Sequence, residues 1–228
     1  HFFRRIPLDT PTPAHPAPPT SGRPPFLEAL GRQILVFDGA MGTMLYARGV
    51  PFTHSFDGIN LTRPELVLEI HRAYVEAGAD ILETNTFGGN RFRLGDHGLE
   101  DQVAEINAAG VRLAREAAGD KAWVAGAVGP IGKPLAPIGV ITAEQAEEAF
   151  REQIGALAAA GVDLLVIETI SDLNEMARAV SAARAVAPHL PIVAQMTFSE
   201  EGKTIIGNKP SEIARRLTEL GVAAIGAN

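Results

Sequence analysis

The sequence predicts an α/β fold: a (β/α)8 TIM barrel, of which the chain carries about the first six βα units. Three observations predict it. Short apolar runs alternate with longer segments whose apolar residues recur at three- and four-residue spacing, the signature of strand and helix in turn. Glycine recurs where those helices give way to strands, as in Glu76-Ala77-Gly78-Ala79-Asp80 and Ala159-Ala160-Gly161-Val162-Asp163. Several strand-like runs end in polar or glycine-rich exits, and polar groups gathered where parallel strands end are the layout of a barrel active site.

Each element follows in order. Residues 1–25 hold Pro7, Pro11, Pro13, Pro16, Pro18, Pro19, Pro24 and Pro25, a density that forbids a helix or central strand and predicts an extended tail or linker. The folded unit is expected over residues 26–228. It begins with a short helix, Phe26 to Gly31, suited to closing the barrel bottom. The first strand is Ile34 to Phe37, and a long loop through Pro51 and His54 leads to a helix from Pro64 to Ala77. Pro64 suits the first turn of that helix and Gly78 its end. The second strand is Asp80 to Glu83, followed by a helix from about Leu99 to Ala118. The third strand is Trp123 to Ala127. Thr142 and Gln145 form a capping-box pattern for the next helix, to Ala160. Leu164 to Ile167 is the fourth strand, Leu173 to Ala187 a helix, and Ile192 to Met196 the fifth strand. Pro210, Ser211 and Glu212 open a helix ending at Gly221, and Val222 to Ile225 is the sixth strand.

A closed barrel needs eight strands. The series stops at Gly226-Ala227-Asn228, itself a strand exit, so a barrel truncated before its last strands is expected. A doubly wound open sheet is the alternative, disfavoured because the first turn has no GxGxxG fingerprint leading straight into a helix.

Composition narrows the function. The net charge of -7 argues against nucleic acid as a partner. Neither a run of about 18 apolar residues nor a signal-peptide core is present, so cytoplasm is the expected compartment. There is no cysteine, hence no disulfide and no thiolate nucleophile or ligand. The six histidines are scattered, with no pair at metal-binding spacing. His71 is expected on an outward helix surface and His97 in a loop, while His54 can line the first loop. Lys203 and Lys209 are expected in solvent.

Two carboxylates stand out. Asp38 and Glu168 each follow an apolar strand and are expected to point into the barrel mouth. Together they can hold a ligand ammonium by charge-assisted hydrogen bonds, bind a metal, or share a proton. Each also has a structural alternative: Asp38 capping its own loop, Glu168 pairing with a basic neighbour. Backbone N–H groups of Gly39, Ala40 and Met41 can cradle a carboxylate or phosphate. Asn85 and Thr86 offer neutral donors at the second exit, or simply bond their own loop. Glu83 can face either way and is expected as a structural partner. No strand ends in a lysine, which disfavours Schiff-base chemistry.

These exits together, Asp38-Gly39-Ala40-Met41-Gly42-Thr43, Glu83-Thr84-Asn85-Thr86-Phe87-Gly88, Val128-Gly129-Pro130, Glu168-Thr169-Ile170-Ser171-Asp172 and Gly226-Ala227-Asn228, resemble the homocysteine S-methyltransferase family. The likeness is greatest to the homocysteine-binding module of methionine synthases, either the cobalamin-dependent type or the type fused to methylenetetrahydrofolate reductase. It spans about residues 26–228. The resemblance implies a zinc ion that binds homocysteine through sulfur and favours its thiolate, which takes up a methyl group to give methionine. It implies that Asp38 and Glu168 hold the amino group and that Gly39 to Met41 receive the carboxylate. The family's zinc ligands are cysteines, the first directly after the Gly-x-Asn; here they are expected beyond Asn228, and this fragment alone is expected to be inactive. Methylcobalamin in a partner domain, with folate and activation domains of the same parent protein, is the implied context. Other donors, such as betaine or S-methylmethionine, and a non-catalytic ligand-binding or scaffolding barrel are the alternatives.

Overall fold

The parallel strands lie in space in the order they take in the sequence, and this decides the architecture. The computed structural model describes residues 23–228 and the backbone of Arg4–Arg5. β2 (Ile81–Glu83), β3 (Trp123–Val128), β4 (Leu164–Ile170), β5 (Ile192–Met196) and β6 (Ala224–Ala227) lie side by side in that order, all parallel. β1 (Arg4–Arg5) joins the far edge antiparallel to β6. A doubly wound sheet reverses its strand order part-way. This sheet does not, so its βα units wind in one direction, as a barrel requires. The tail expected over residues 1–25 lies, apart from that short strand and its last residues, outside the described residues.

The first predicted strand is a correction. Phe37 makes a single parallel bridge to Ile81, and the Asp38 amide donates to the Ile81 carbonyl at 2.9 Å. Upstream, Ile34 is 91% exposed and Val36 55% exposed. Backbone pairing to β2 begins at Val36 and Phe37, so just the last residues of the run enter the sheet. The expected long first loop also holds two short helices, α2 (Met41–Ala47) and α3 (Ile59–Thr62).

Period-two alternation divides each strand between two cores. Ile81, Trp123, Ala125, Leu164, Val166, Val193 and Ala224 pack with one another in the barrel interior. Their neighbours Leu82, Val124, Leu165, Ile167, Ile192 and Ala194 face the helices. Those helices are α4 (Pro64–Glu76), α6 (Val103–Ala118), α7 (Ala143–Ala159), α8 (Leu173–Val186) and α9 (Pro210–Glu219). A short α5 (Arg91–Gly95) and a 3₁₀ turn (Glu100–Gln102) precede α6. Thr142 and Gln145 make the full reciprocal capping box. Gly78, Gly161 and Gly221 all have positive φ, 96°, 90° and 70°, which is why glycine recurs at the helix-to-strand turns.

The floor of the barrel is closed from outside the sheet. Phe26, opening α1 (Phe26–Leu30), meets the Trp123 ring edge-on at 6.3 Å between centroids. The Trp123 indole N–H donates to the Pro24 carbonyl at 3.2 Å, and the Arg23 guanidinium lies 4.5 Å from the ring centre.

His71 is a second correction. It is fully buried, with both ring nitrogens unpartnered among the described residues. It stands four residues after Val67, on the apolar stripe that α4 turns inward, rather than on an outer surface. Burial lowers its pKa from 6.5 to about 4, so the ring is neutral.

Candidate functional site

The interior parity of the strands carries polar side chains to the mouth. Continuing the set Ile81, Leu164–Val166 and Val193 by two residues reaches Glu83, Glu168 and Gln195. Above them opens a cavity of about 570 Å³, lined by Asp38, Glu83, Asn85 and Glu168 together with Gly39, Ala40 and Met41. The two carboxylates singled out in the sequence therefore share one opening.

Asp38 is held by backbone and Glu168 by a neighbouring side chain. Both Asp38 oxygens accept the Glu83 amide at 3.2 Å, which ties the first segment to β2. Glu168 sits at a register shift between Ile167 and Ile170, the mark of a bulge that re-aims a side chain. Thr169, directly after it, has φ 58°, an uncommon conformation for a β-branched residue. Its hydroxyl donates to Glu168 Oε2 at 3.2 Å and accepts the Asn228 side-chain amide. Asn228 Oδ1 in turn accepts the Thr197 hydroxyl at 2.9 Å. Three successive strand exits thus converge on Glu168.

Gly39 owes its identity to a close approach. A Cβ there would lie 2.8 Å from the Tyr74 hydroxyl, which donates to the Ala40 carbonyl at 3.1 Å. Ala40 and Met41 begin α2, and no side chain caps it. The first-turn N–H groups of a helix have no intrahelical acceptor.

Asn85 borders the cavity but is committed: its amide donates to the Phe56 carbonyl at 2.7 Å and to Asn60 Oδ1 at 3.0 Å. Thr86 is fully buried and donates to the Ala127 carbonyl at 2.9 Å, below the cavity wall rather than on it. Asp57 accepts the Gly88 amide at 2.8 Å and so latches the first loop to the second exit; burial pushes its carboxyl up to about 6. Among the histidines, His54 and His97 are exposed at the cavity rim, and Lys203 and Lys209 are exposed as expected.

Sequence reasoning missed the orientation of Glu83. It faces the cavity as a third acid. Burial, then the charges of Glu168 and Asp38, then a hydrogen bond with Glu168 hold its carboxyl well above the ordinary range. Asp38 is pushed up to about 7, chiefly by burial, with the Glu83 amide opposing and the Glu168 charge adding. Gln195 was not singled out either, yet it is fully buried with both side-chain polar atoms unpartnered among the described residues. Counting two residues along each strand from the interior apolar positions finds both.

Residues 35–228 match the homocysteine S-methyltransferase family. The chain belongs to that family. Methionine synthase of Mycobacterium tuberculosis (strain ATCC 25618 / H37Rv) is 33% identical over 219 residues, 89% of this chain and 18% of that protein. Methionine synthase of Mycobacterium leprae (strain TN) is 32% identical over the same span. The chain therefore spans 18% of the length of these curated relatives. Among solved structures, the metallated form of the homocysteine methyltransferase MmuM from Escherichia coli superposes with a TM-score of 0.76 at 27% identity, covering 87% of this chain and 76% of that one. The oxidized form gives 0.77 at 28% identity, covering 90% and 77%. As a member of that family, the chain has the barrel fold class predicted, represented by five parallel strands and the Phe37 bridge that precedes them.

A zinc ion is the group this family suggests. The residues present do not fit one: the sequence has no cysteine, and among the described residues no group of three His, Cys, Asp or Glu is placed to hold a metal. Among the described residues, no helix is long and apolar enough to cross a membrane.

Proposed function

We propose that residues 26–228 are the homocysteine-binding module of a methionine synthase, the part of the enzyme that presents homocysteine to a methyl donor. One observation carries the reading: carboxylates from the first and fourth strand exits, Asp38 and Glu168, line a single cavity with no cationic residue of the described chain paired to either. An amino acid's ammonium is a natural counter-ion for such a site, because charge-assisted hydrogen bonds are the stronger class. The uncapped first turn of α2 offers N–H groups to its carboxylate at Gly39 to Met41. Asn85 and Thr86 keep the neighbouring wall rigid through their bonds to Phe56, Asn60 and Ala127.

In this reading the amino acid end is fixed at the barrel wall and the thiol end is left toward the opening. Zinc binding by cysteines beyond Asn228, methyl transfer from methylcobalamin, and folate, cobalamin and activation domains in the parent protein complete the proposal. A tail over residues 1–25 and a cytoplasmic location belong to it as well. The likeness to the homocysteine methyltransferase MmuM, of which the chain covers 76%, supports a second reading, a homocysteine methyltransferase outside the methionine synthases.

The test is titration calorimetry with L-homocysteine on the protein and on Glu168→Gln. Removing one ionised partner of an ammonium is expected to weaken binding about ten- to a hundredfold, from about 1.5–3 kcal/mol for a charged hydrogen bond. Unchanged affinity refutes the assignment.

A further inference from the structure

Three carboxyls meet at the barrel mouth, one for each N–H donor of an ammonium. Asp38 comes from the first segment, Glu83 from β2 and Glu168 from β4, all lining the cavity. Burial first, then the charges of Glu168 and Asp38, then a side-chain hydrogen bond with Glu168 keep Glu83 protonated well above the ordinary carboxylate range, and a proton on one of the pair lets two groups that otherwise only accept lie side by side. The other charged groups of the cavity have partners elsewhere or sit at its rim: Asp57 accepts the Gly88 amide, Arg93 lies over Phe87 and donates to the Pro130 carbonyl, and His54, Asp96 and His97 are exposed. β3 presents Ala125 beside Glu83 and Ala127 to the cavity. From α4 comes only the Tyr74 hydroxyl, which donates to the Ala40 carbonyl. Among the described residues no Lys, Arg or His makes an ion pair with any of the three.

A separate observation points to a missing polar partner beside Glu168. Gln195, on the strand next to β4, is fully buried with Nε2 and Oε1 both unpartnered among the described residues. Ile167 pairs with Ala194, so Gln195 stands level with Glu168. Buried amides are almost always hydrogen-bonded, and one that is not marks a place where a bound group or water belongs.

We propose that Glu83 is a third substrate-binding residue, and that the proton it shares with Glu168 in the empty site is expelled to solvent when the ligand's ammonium binds. The inference rests on the homocysteine-site reading above. The ammonium has three N–H donors, and after the proton leaves, the three carboxylates offer one acceptor each. The exchange conserves charge locally: one cation enters as one proton departs, and the ammonium itself stays protonated. Selectivity follows, because a neutral or anionic ligand end cannot displace the proton.

The probe is L-methionine, which carries the same amino acid end and no thiol, so thiol ionisation cannot contribute protons. Its binding to the protein is measured by calorimetry at neutral pH in two buffers of different ionisation heat. Wild-type protein is expected to release close to one proton or more per ligand, with affinity rising toward about tenfold per pH unit where that release is complete. Glu83→Gln, an uncharged mimic of the protonated acid, is expected to fold, to bind methionine, and to release close to one proton fewer. Binding by wild-type protein without proton release overturns the inference, as does an identical release from the variant. Should wild-type protein bind neither methionine nor homocysteine, it is the site reading that fails. Should the variant not fold, the wild-type count is taken at about pH 8.5, where Asp38, pushed up to about 7, is already ionised; close to one proton released there supports the inference and none overturns it.

Discussion

Replacing His71 with leucine should make the protein both more stable and less sensitive to acid. The ring is fully buried and neither nitrogen has a partner among the described residues. Burying a polar group without a hydrogen bond costs about 1–3 kcal/mol. Leucine fills a similar space without that cost, so His71→Leu should gain on that order near pH 8. The pH dependence supplies the sharper number. Burial takes the folded pKa from 6.5 down to about 4. As the pH falls through 6.5 the unfolded chain takes up a proton that the folded chain refuses until about 4. Within that window the unfolded state binds more protons, so stability falls on acidification. Between about pH 7.5 and pH 5 the loss is about 2 kcal/mol, reaching about 3 kcal/mol once both states are titrated. Urea unfolding of the wild type and His71→Leu, followed by circular dichroism at both pH values, isolates this contribution, because every other titrating group is common to the two proteins. The gap should widen by about 2 kcal/mol toward acid. Parallel curves would show that the ring is solvated or hydrogen-bonded, and the reasoning would be refuted.

Asp57→Asn should act with the opposite sign. Burial raises this carboxyl from 3.8 to about 6, so the folded state carries the cost of a buried charge above that pH. Asparagine can still accept the Gly88 amide, and the variant should gain about 1–3 kcal/mol at neutral pH, with the gain vanishing near pH 4; urea unfolding at the two pH values checks it, and a gain that grows toward acid contradicts it. Gly129→Ala should lose about 1–3 kcal/mol, since overpacked atoms must move. Its new Cβ would lie 2.6 Å from the Phe87 carbonyl oxygen. A thermal melt of that variant matching wild type would mean the third exit yields without cost.

The repeating units were legible in the sequence because their signals are local. Gly78, Gly161 and Gly221 announce left-handed turns whatever surrounds them, and Thr142 with Gln145 needs only its own helix. Asp38 and Glu168 were legible because each ends an apolar run, and parallel strands bring such ends together. What depends on a partner elsewhere was not legible. Ile34 and Val36 are as apolar as any strand, yet their exposure is decided by what lies beside them. Glu83 was undecided because a shift of one residue turns a strand side chain to the opposite face. Its orientation follows only once Ile81 is known to face the interior. Thr86 shows the same limit in reverse: a polar residue at a strand exit, spent on the Ala127 carbonyl beneath the cavity wall.

The chain's single tryptophan is the ring that Phe26 and Arg23 cover at the closed end of the barrel. Its fluorescence therefore watches the end opposite the mouth. Emission from Trp123 should follow docking of α1, while a small molecule entering between Asp38 and Glu168 should leave its spectrum almost unchanged. An optical signal that is blind to occupancy lets assembly of the closed end be timed in ligand-saturated samples.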